Sequence, residues 1–178
     1  VVEKTVRKGV EPKAQTLAIF TGETTFDPAS RYAMRSMAEL LEMKLLENLR
    51  EALGGTYSVS ARGSLTKYPK PEYQFLVNFG SSPDKAELLW KTVLAVIDTV
   101  QRDGATPAEL QKVREQQLRT QEVSLKENSY WVGNIAARLE NGEDPRGLST
   151  YTRDYIEKLS SEQIRDAARR YLDVTRYA

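Results

Sequence analysis

The spacing of apolar residues changes period several times along this chain, and each change marks an element. The run Gln15-Thr16-Leu17-Ala18-Ile19-Phe20-Thr21-Gly22 is rich in β-formers and alternates well enough to read as a first strand. Asp27-Pro28 then offers an N-cap aspartate with proline at the first helical position. The helix expected from Pro28 to about Leu53 carries Met34, Met37, Ala38, Leu41, Leu45 and Leu49 on one stripe. Leu40 and Leu46 widen that stripe, so the helix should lie against a sheet. Gly54 is the expected left-handed cap at its end. Alternation resumes at Tyr57, Val59, Ala61, Gly63 and Leu65, and again at Tyr73, Phe75, Val77 and Phe79. Joined through Tyr68-Pro69-Lys70-Pro71, these two strands should form an antiparallel hairpin.

From Gly80 onward the period is helical. Ser82-Pro83 opens a helix with Leu89, Val93, Val96, Ile97 and Val100 inward, closed by Gly104. Thr106-Pro107-Ala108-Glu109 has capping-box spacing and starts a helix that is polar through Glu127. With Leu110, Val113 and little else on its apolar stripe, that helix is expected to be an outer, largely solvated one. Trp131, Val132, Ile135, Ala136 and Leu139 mark another helix ending near Gly142, with Trp131 expected in the core or at a domain contact. Ser160-Ser161-Glu162-Gln163 caps a last helix with Ile164, Ala167, Ala168 and Leu172 facing in, and Asp173 to Ala178 reads as the approach to a further strand. The order is strand, helix, strand, strand, then four or five helices. That is an α+β fold, an antiparallel-dominated sheet with helices mainly on one face.

Composition narrows the function. A length of 178 residues bounds one domain, here residues 13–178, preceded by a charged linker over 1–12 that ends in Pro12. Lys+Arg 26 against Asp+Glu 25 leaves a net charge of +1, which predicts neither a nucleic-acid nor a membrane partner. The chain has no cysteine and no histidine. Thiolate and imidazole metal sites, Cys nucleophiles and Ser-His-Asp chemistry are therefore excluded from it. It starts at Val1, has no signal-peptide pattern and no apolar run of spanning length, and is expected to be a segment of a longer polypeptide.

Candidate chemistry gathers where the long helix ends. Arg50 falls in its last turns and Tyr57 at the mouth of the next strand. A guanidinium is always charged and a phenol is a neutral donor at pH 7, so the pair suits a carbonyl oxygen or charge developing on one. An arginine favourable to the helix dipole, followed by an ordinary strand tyrosine, explains the same residues. Both readings stand on the residues alone.

Leu49-Arg50-Glu51-x-Leu53-Gly54-x-x-Tyr57 resembles the arginine–tyrosine segment of the pitrilysin/insulin-degrading-enzyme family of inverted zincins. That family includes the mitochondrial processing peptidases and many bacterial zinc proteases. The order of elements, the Thr106-Pro107-x-Glu109-Leu110 helix start and the Ser160-capped helix extend the resemblance over most of the chain. It implies a C-terminal, non-zinc domain of a zinc metalloendopeptidase whose H-x-x-E-H motif sits in a partner N-terminal half. No metal or cofactor is then expected in this segment, and zinc is expected in the partner domain. By the same resemblance the substrate is a peptide, Arg50 grips its backbone, Tyr57 stabilises the tetrahedral intermediate, and the location is the bacterial periplasm. The isolated segment is expected to be inactive. A non-catalytic scaffold domain of the same family is the alternative.

Other residues invite plainer expectations. Glu39, Glu42, Glu47 and Glu51 should form the solvated face of their helix. Gly54-Gly55 leaves a helix rather than opening one, so it is no phosphate loop. Tyr73, Phe75 and Phe79 should be core. The second face of the hairpin, with Ser58, Ser60 and Arg62, is a candidate for strand addition by an extended peptide.

Overall fold

The alternating segments pair into one antiparallel sheet. The computed structural model describes residues 12–53 and 58–178. In it, β1 (Ala14–Glu23), β2 (Val59–Thr66) and β3 (Glu72–Ser81) lie in the order β1-β3-β2. The predicted hairpin is β2–β3, with Ala61 opposite Val77, and β1 adds to the other side of β3, with Phe20 opposite Phe75. Because paired residues share a face, Ala18, Phe20, Ala61, Tyr73, Phe75, Val77 and Phe79 all point one way, and all are buried. Tyr73, Phe75 and Phe79 are therefore core, as expected. Leu17, Thr21, Arg62, Ser64 and Gln74 point the other way and are exposed.

Six helices among the described residues follow: α1 (Pro28–Leu53), α2 (Ala86–Asp103), α3 (Pro107–Ser124), α4 (Asn128–Glu140), α5 (Leu148–Lys158) and α6 (Ser161–Tyr171). Asp27 starts α1 as predicted, accepting from the Ser30 N–H at 2.8 Å. The stripe Met34, Met37, Leu41, Leu45 and Leu49 is buried, and α1 packs on β2 and against α2 and α6. Helix and strand come so close that Met34 and Phe75 fill the space a side chain at Gly63 would need. Reciprocal capping boxes start α3 (Thr106 with Glu109) and α6 (Ser160 with Gln163). Gly104 ends α2 at φ 71°, a left-handed conformation that favours glycine.

Several expectations change. A 3₁₀ turn over Pro83–Lys85 precedes α2, which itself begins at Ala86. Helix α3 stops at Ser124 instead of reaching Glu127, and it is less solvated than its polarity suggests. Gln117 and Gln121 are buried with Val113, because α1 and α5 supply their hydrogen-bond partners: Ser36 Oγ at 3.0 Å and the Ser149 carbonyl at 2.7 Å. Helix α4 buries none of its residues. Helix α5 has no counterpart in the predicted elements. The Asp173–Ala178 segment turns, and Ala178 exchanges both backbone hydrogen bonds with Ile19 on the outer edge of β1, at 2.8 and 3.0 Å. Residues 1–11 of the predicted 1–12 linker, the Gly54 cap and Tyr57 lie outside the described residues.

Candidate functional site at the end of helix α1

Burial of Leu45 and Leu49 fixes the rotation of α1, and that rotation decides where Arg50 goes. One residue past Leu49, Arg50 is exposed in the last helical turn, where its charge also suits the helix dipole. The chain returns as β2, which runs back along α1: Ala61 is beside Glu42, and Gly63 is beside Met34. Tyr57 precedes this strand, and its distance from Arg50 lies outside the described residues.

A groove of about 520 Å³ runs between α1 and the outer edge of β2. Arg35, Glu39, Glu42, Met43 and Leu46 of α1 line it, with Ala61, Arg62 and Gly63 of β2 opposite. At 100° per residue these helical positions share one stripe, and Arg50, four residues past Leu46, continues it. The lining itself ends at Leu46, one helical turn short of Arg50.

Its charges are organised. Arg35 pairs with Glu39 at 2.8 Å, and Glu39 also accepts from the Gln117 amide at 2.5 Å. Gln117 in turn accepts from the Tyr32 hydroxyl, and burial, first among the causes, pushes the Tyr32 phenol up to about 12. Glu42 accepts the Ala61 backbone N–H at 3.1 Å. Two of the glutamates expected to be merely solvated are thus engaged with α1, α3 and β2, while Glu47 is exposed as expected.

Zinc does not fit these residues. Without histidine or cysteine a site would need carboxylates alone, and those facing the groove are taken up by Arg35, Gln117 and the Ala61 amide. Among the described residues no group of three or more possible ligands is gathered. What the end of α1 offers chemically is donation: an exposed guanidinium one turn past a groove that borders an edge strand.

Sequence reasoning located Arg50 but missed the groove and the Tyr32–Gln117–Glu39 network behind it. The signal was present: Val113, Gln117 and Gln121 recur every four residues, polar side chains continuing an apolar stripe.

Comparison with known proteins completes the picture. The profile of the family described as "Peptidase M16 inactive domain" matches residues 2–117. The chloroplastic stromal processing peptidase of Pisum sativum is 26% identical over 138 residues, covering 78% of this chain and 11% of its own length. The probable zinc protease PqqL of Haemophilus influenzae is 24% identical over 161 residues, 88% of this chain and 17% of its own length. Among solved structures, the periplasmic protease PqqL from Escherichia coli superposes with a TM-score of 0.75 at 23% identity, over 91% of this chain and 18% of that one. The chain thus spans less than a fifth of each of these proteins, and the solved structure shares its fold.

Proposed function

The chain belongs to the peptidase M16 inactive-domain family, and from that premise we propose that it is a substrate-holding, zinc-free domain of a zinc-dependent endopeptidase. In this reading a separate half of the enzyme carries zinc and the activated water, and the two enclose a peptide between them. Arg50 grips the main-chain carbonyls beside the scissile bond. A guanidinium keeps its charge at every working pH and offers several donors in one plane, so it orients a backbone without consuming a proton. Tyr57 donates from its phenol to the carbonyl oxygen as that oxygen becomes an anion, where a neutral donor is worth most. Without histidine or cysteine the chain offers no zinc-ligand set of the usual kind, and in this reading it turns over nothing alone. By likeness to the Escherichia coli relative, whose structure is titled a periplasmic protease, the enzyme works in the periplasm.

One observation carries this reading: Arg50 stands exposed in the last turn of α1, one turn past a groove whose carboxylates, Glu39 and Glu42, are bound to structural partners. The test uses the full protease. Arg50→Ala and Tyr57→Phe should each lower kcat/KM for a peptide about 100-fold or more, the usual effect of losing one oxyanion donor, with zinc content unchanged. Wild-type turnover in both variants would refute the role. A scaffold role has one observation in its favour, the outward apolar residues of α4. Absence of an H-x-x-E-H motif from both the surrounding polypeptide and its partner subunit would decide for it.

A further inference from the structure

Hydrogen bonding in an antiparallel sheet alternates, so every second residue of an edge strand turns its N–H and C=O away from the sheet. The Ser58 carbonyl accepts from Gly80 N–H at 3.4 Å, which assigns the even residues of β2 to the ladder with β3. The odd residues Val59, Ala61, Gly63 and Leu65 therefore aim their backbone groups outward. The Ala61 N–H meets the Glu42 carboxylate at 3.1 Å, in the place where a neighbouring strand would put a carbonyl oxygen. The groove along this edge is lined by Met43 and Leu46 on the α1 side and by Arg62 on the β2 side, and Arg50 follows one helical turn beyond Leu46.

We infer that the outer edge of β2 binds an extended peptide by strand addition, and that Glu42 holds the place of one peptide carbonyl until the peptide displaces it. The inference rests on the substrate-holding role proposed above and adds to it how the peptide is gripped away from the scissile bond. Val59, Gly63 and Leu65 supply main-chain pairing, which is indifferent to the peptide's sequence, and Met43 and Leu46 favour apolar side chains on the groove side. The ligand class is an unfolded, proline-poor segment, because proline lacks the N–H that the outward carbonyls need. A single carboxylate also guards the edge against pairing with other strands when no peptide is present. The second face of the hairpin, where the sequence placed strand addition, is not the binding element: Ser60 and Arg62 already spend their backbone groups on β3.

The test is residue-resolved amide exchange on the 178-residue chain, with and without a proline-free peptide of about ten residues. Bound peptide should slow exchange at Val59, Gly63 and Leu65 and leave Ser60, Arg62 and Ser64 unchanged. A peptide N-methylated at alternate amides should give no protection. Glu42→Ala should bind the plain peptide about tenfold more tightly, since no charged acceptor has to be displaced first, and Glu42→Gln should fall between the two. Uniform slowing along β2, equal binding of the methylated peptide, or amides at Val59 and Gly63 already protected without peptide would each overturn the inference. Arg50→Ala turnover in the full protease separates the two claims. Loss of turnover without alternating protection sinks only the strand-addition claim, and alternating protection with normal turnover sinks only the catalytic one.

Discussion

Helices α2 and α4 carry similar apolar spacing and meet opposite fates. In α2, Leu89, Val93, Ile97 and Val100 are fully buried and Val96 is nearly so. In α4, Val132 is 71% exposed and Leu139 61%, and no residue is buried. Intrinsic helix preference does not separate them. The inner face of a three-stranded sheet offers room for few helices, and α1, α2 and α6 take it, each packing on a strand. Helix α4 lies beyond that layer and is held locally, for example by the Trp131 indole N–H donating to the Leu125 carbonyl at 2.9 Å. Periodicity defines the face a helix can bury, and the surrounding layers decide whether anything covers it.

The largest effect should come from α2. Ile97→Ala removes a fully buried side chain and should cost about 2–5 kcal/mol in urea unfolding of this chain. The end of the same helix should come next. At Gly104 an added Cβ would sit 2.5 Å from Ser161 Oγ and 2.7 Å from the Ser161 carbonyl, at φ 71°, so Gly104→Ala should lower stability by about 1–3 kcal/mol.

A smaller and pH-dependent effect belongs to Glu109, which ties α3 to Lys44 at 2.5 Å. Burial by itself would raise this carboxyl. The Lys44 ammonium and the Thr106 N–H and hydroxyl outweigh it and hold the pKa below the ordinary 4.5. A depressed carboxyl stabilises the fold fully above its unfolded-state value and loses that contribution as pH falls through the folded one. Wild type should therefore lose about 1 kcal/mol more than Glu109→Gln on acidification from pH 7 to below 4.5, read from denaturation midpoints. Smallest of all, Leu139→Ser on α4 should change the stability of this chain by less than about 0.5 kcal/mol. A loss comparable to that of Ile97→Ala would break the contrast between the two helices. A loss seen only in a longer polypeptide that contains this chain would sharpen it, by showing that another domain covers α4.

Much of the fold was legible in the sequence because one physical rule covers it. The limits of α1, the hairpin, the stops at Gly104 and both capping boxes follow from local period and local chemistry. What escaped lacked a capping signal or carried polar residues on its buried stripe. Helix α5 buries only Leu148 and Ile156 from its described side chains and follows Gly147 without a side-chain cap, so no start signal announces it. Gln117 and Gln121 read as solvated because glutamines usually are, yet facing partners on α1 and α5 make their burial inexpensive. Of the candidate site, Arg50 was legible from its seven-residue spacing to Tyr57 across Gly54-Gly55. The groove one helical turn before it was not, since Glu42 and Ala61 stand nineteen residues apart and meet only when β2 folds back along α1.

By itself the sequence determined what is short-ranged or exclusionary: the elements, the apolar faces, the Arg50–Tyr57 pattern, and the impossibility of histidine or cysteine chemistry. Tertiary structure alone decided that β1 joins β3 across from the hairpin and that α2 is covered while α4 is not. It alone placed a carboxylate against the open edge of β2. Period and propensity act over a few neighbouring residues, whereas edges, grooves and burial depend on which distant surfaces compete for the same face of the sheet.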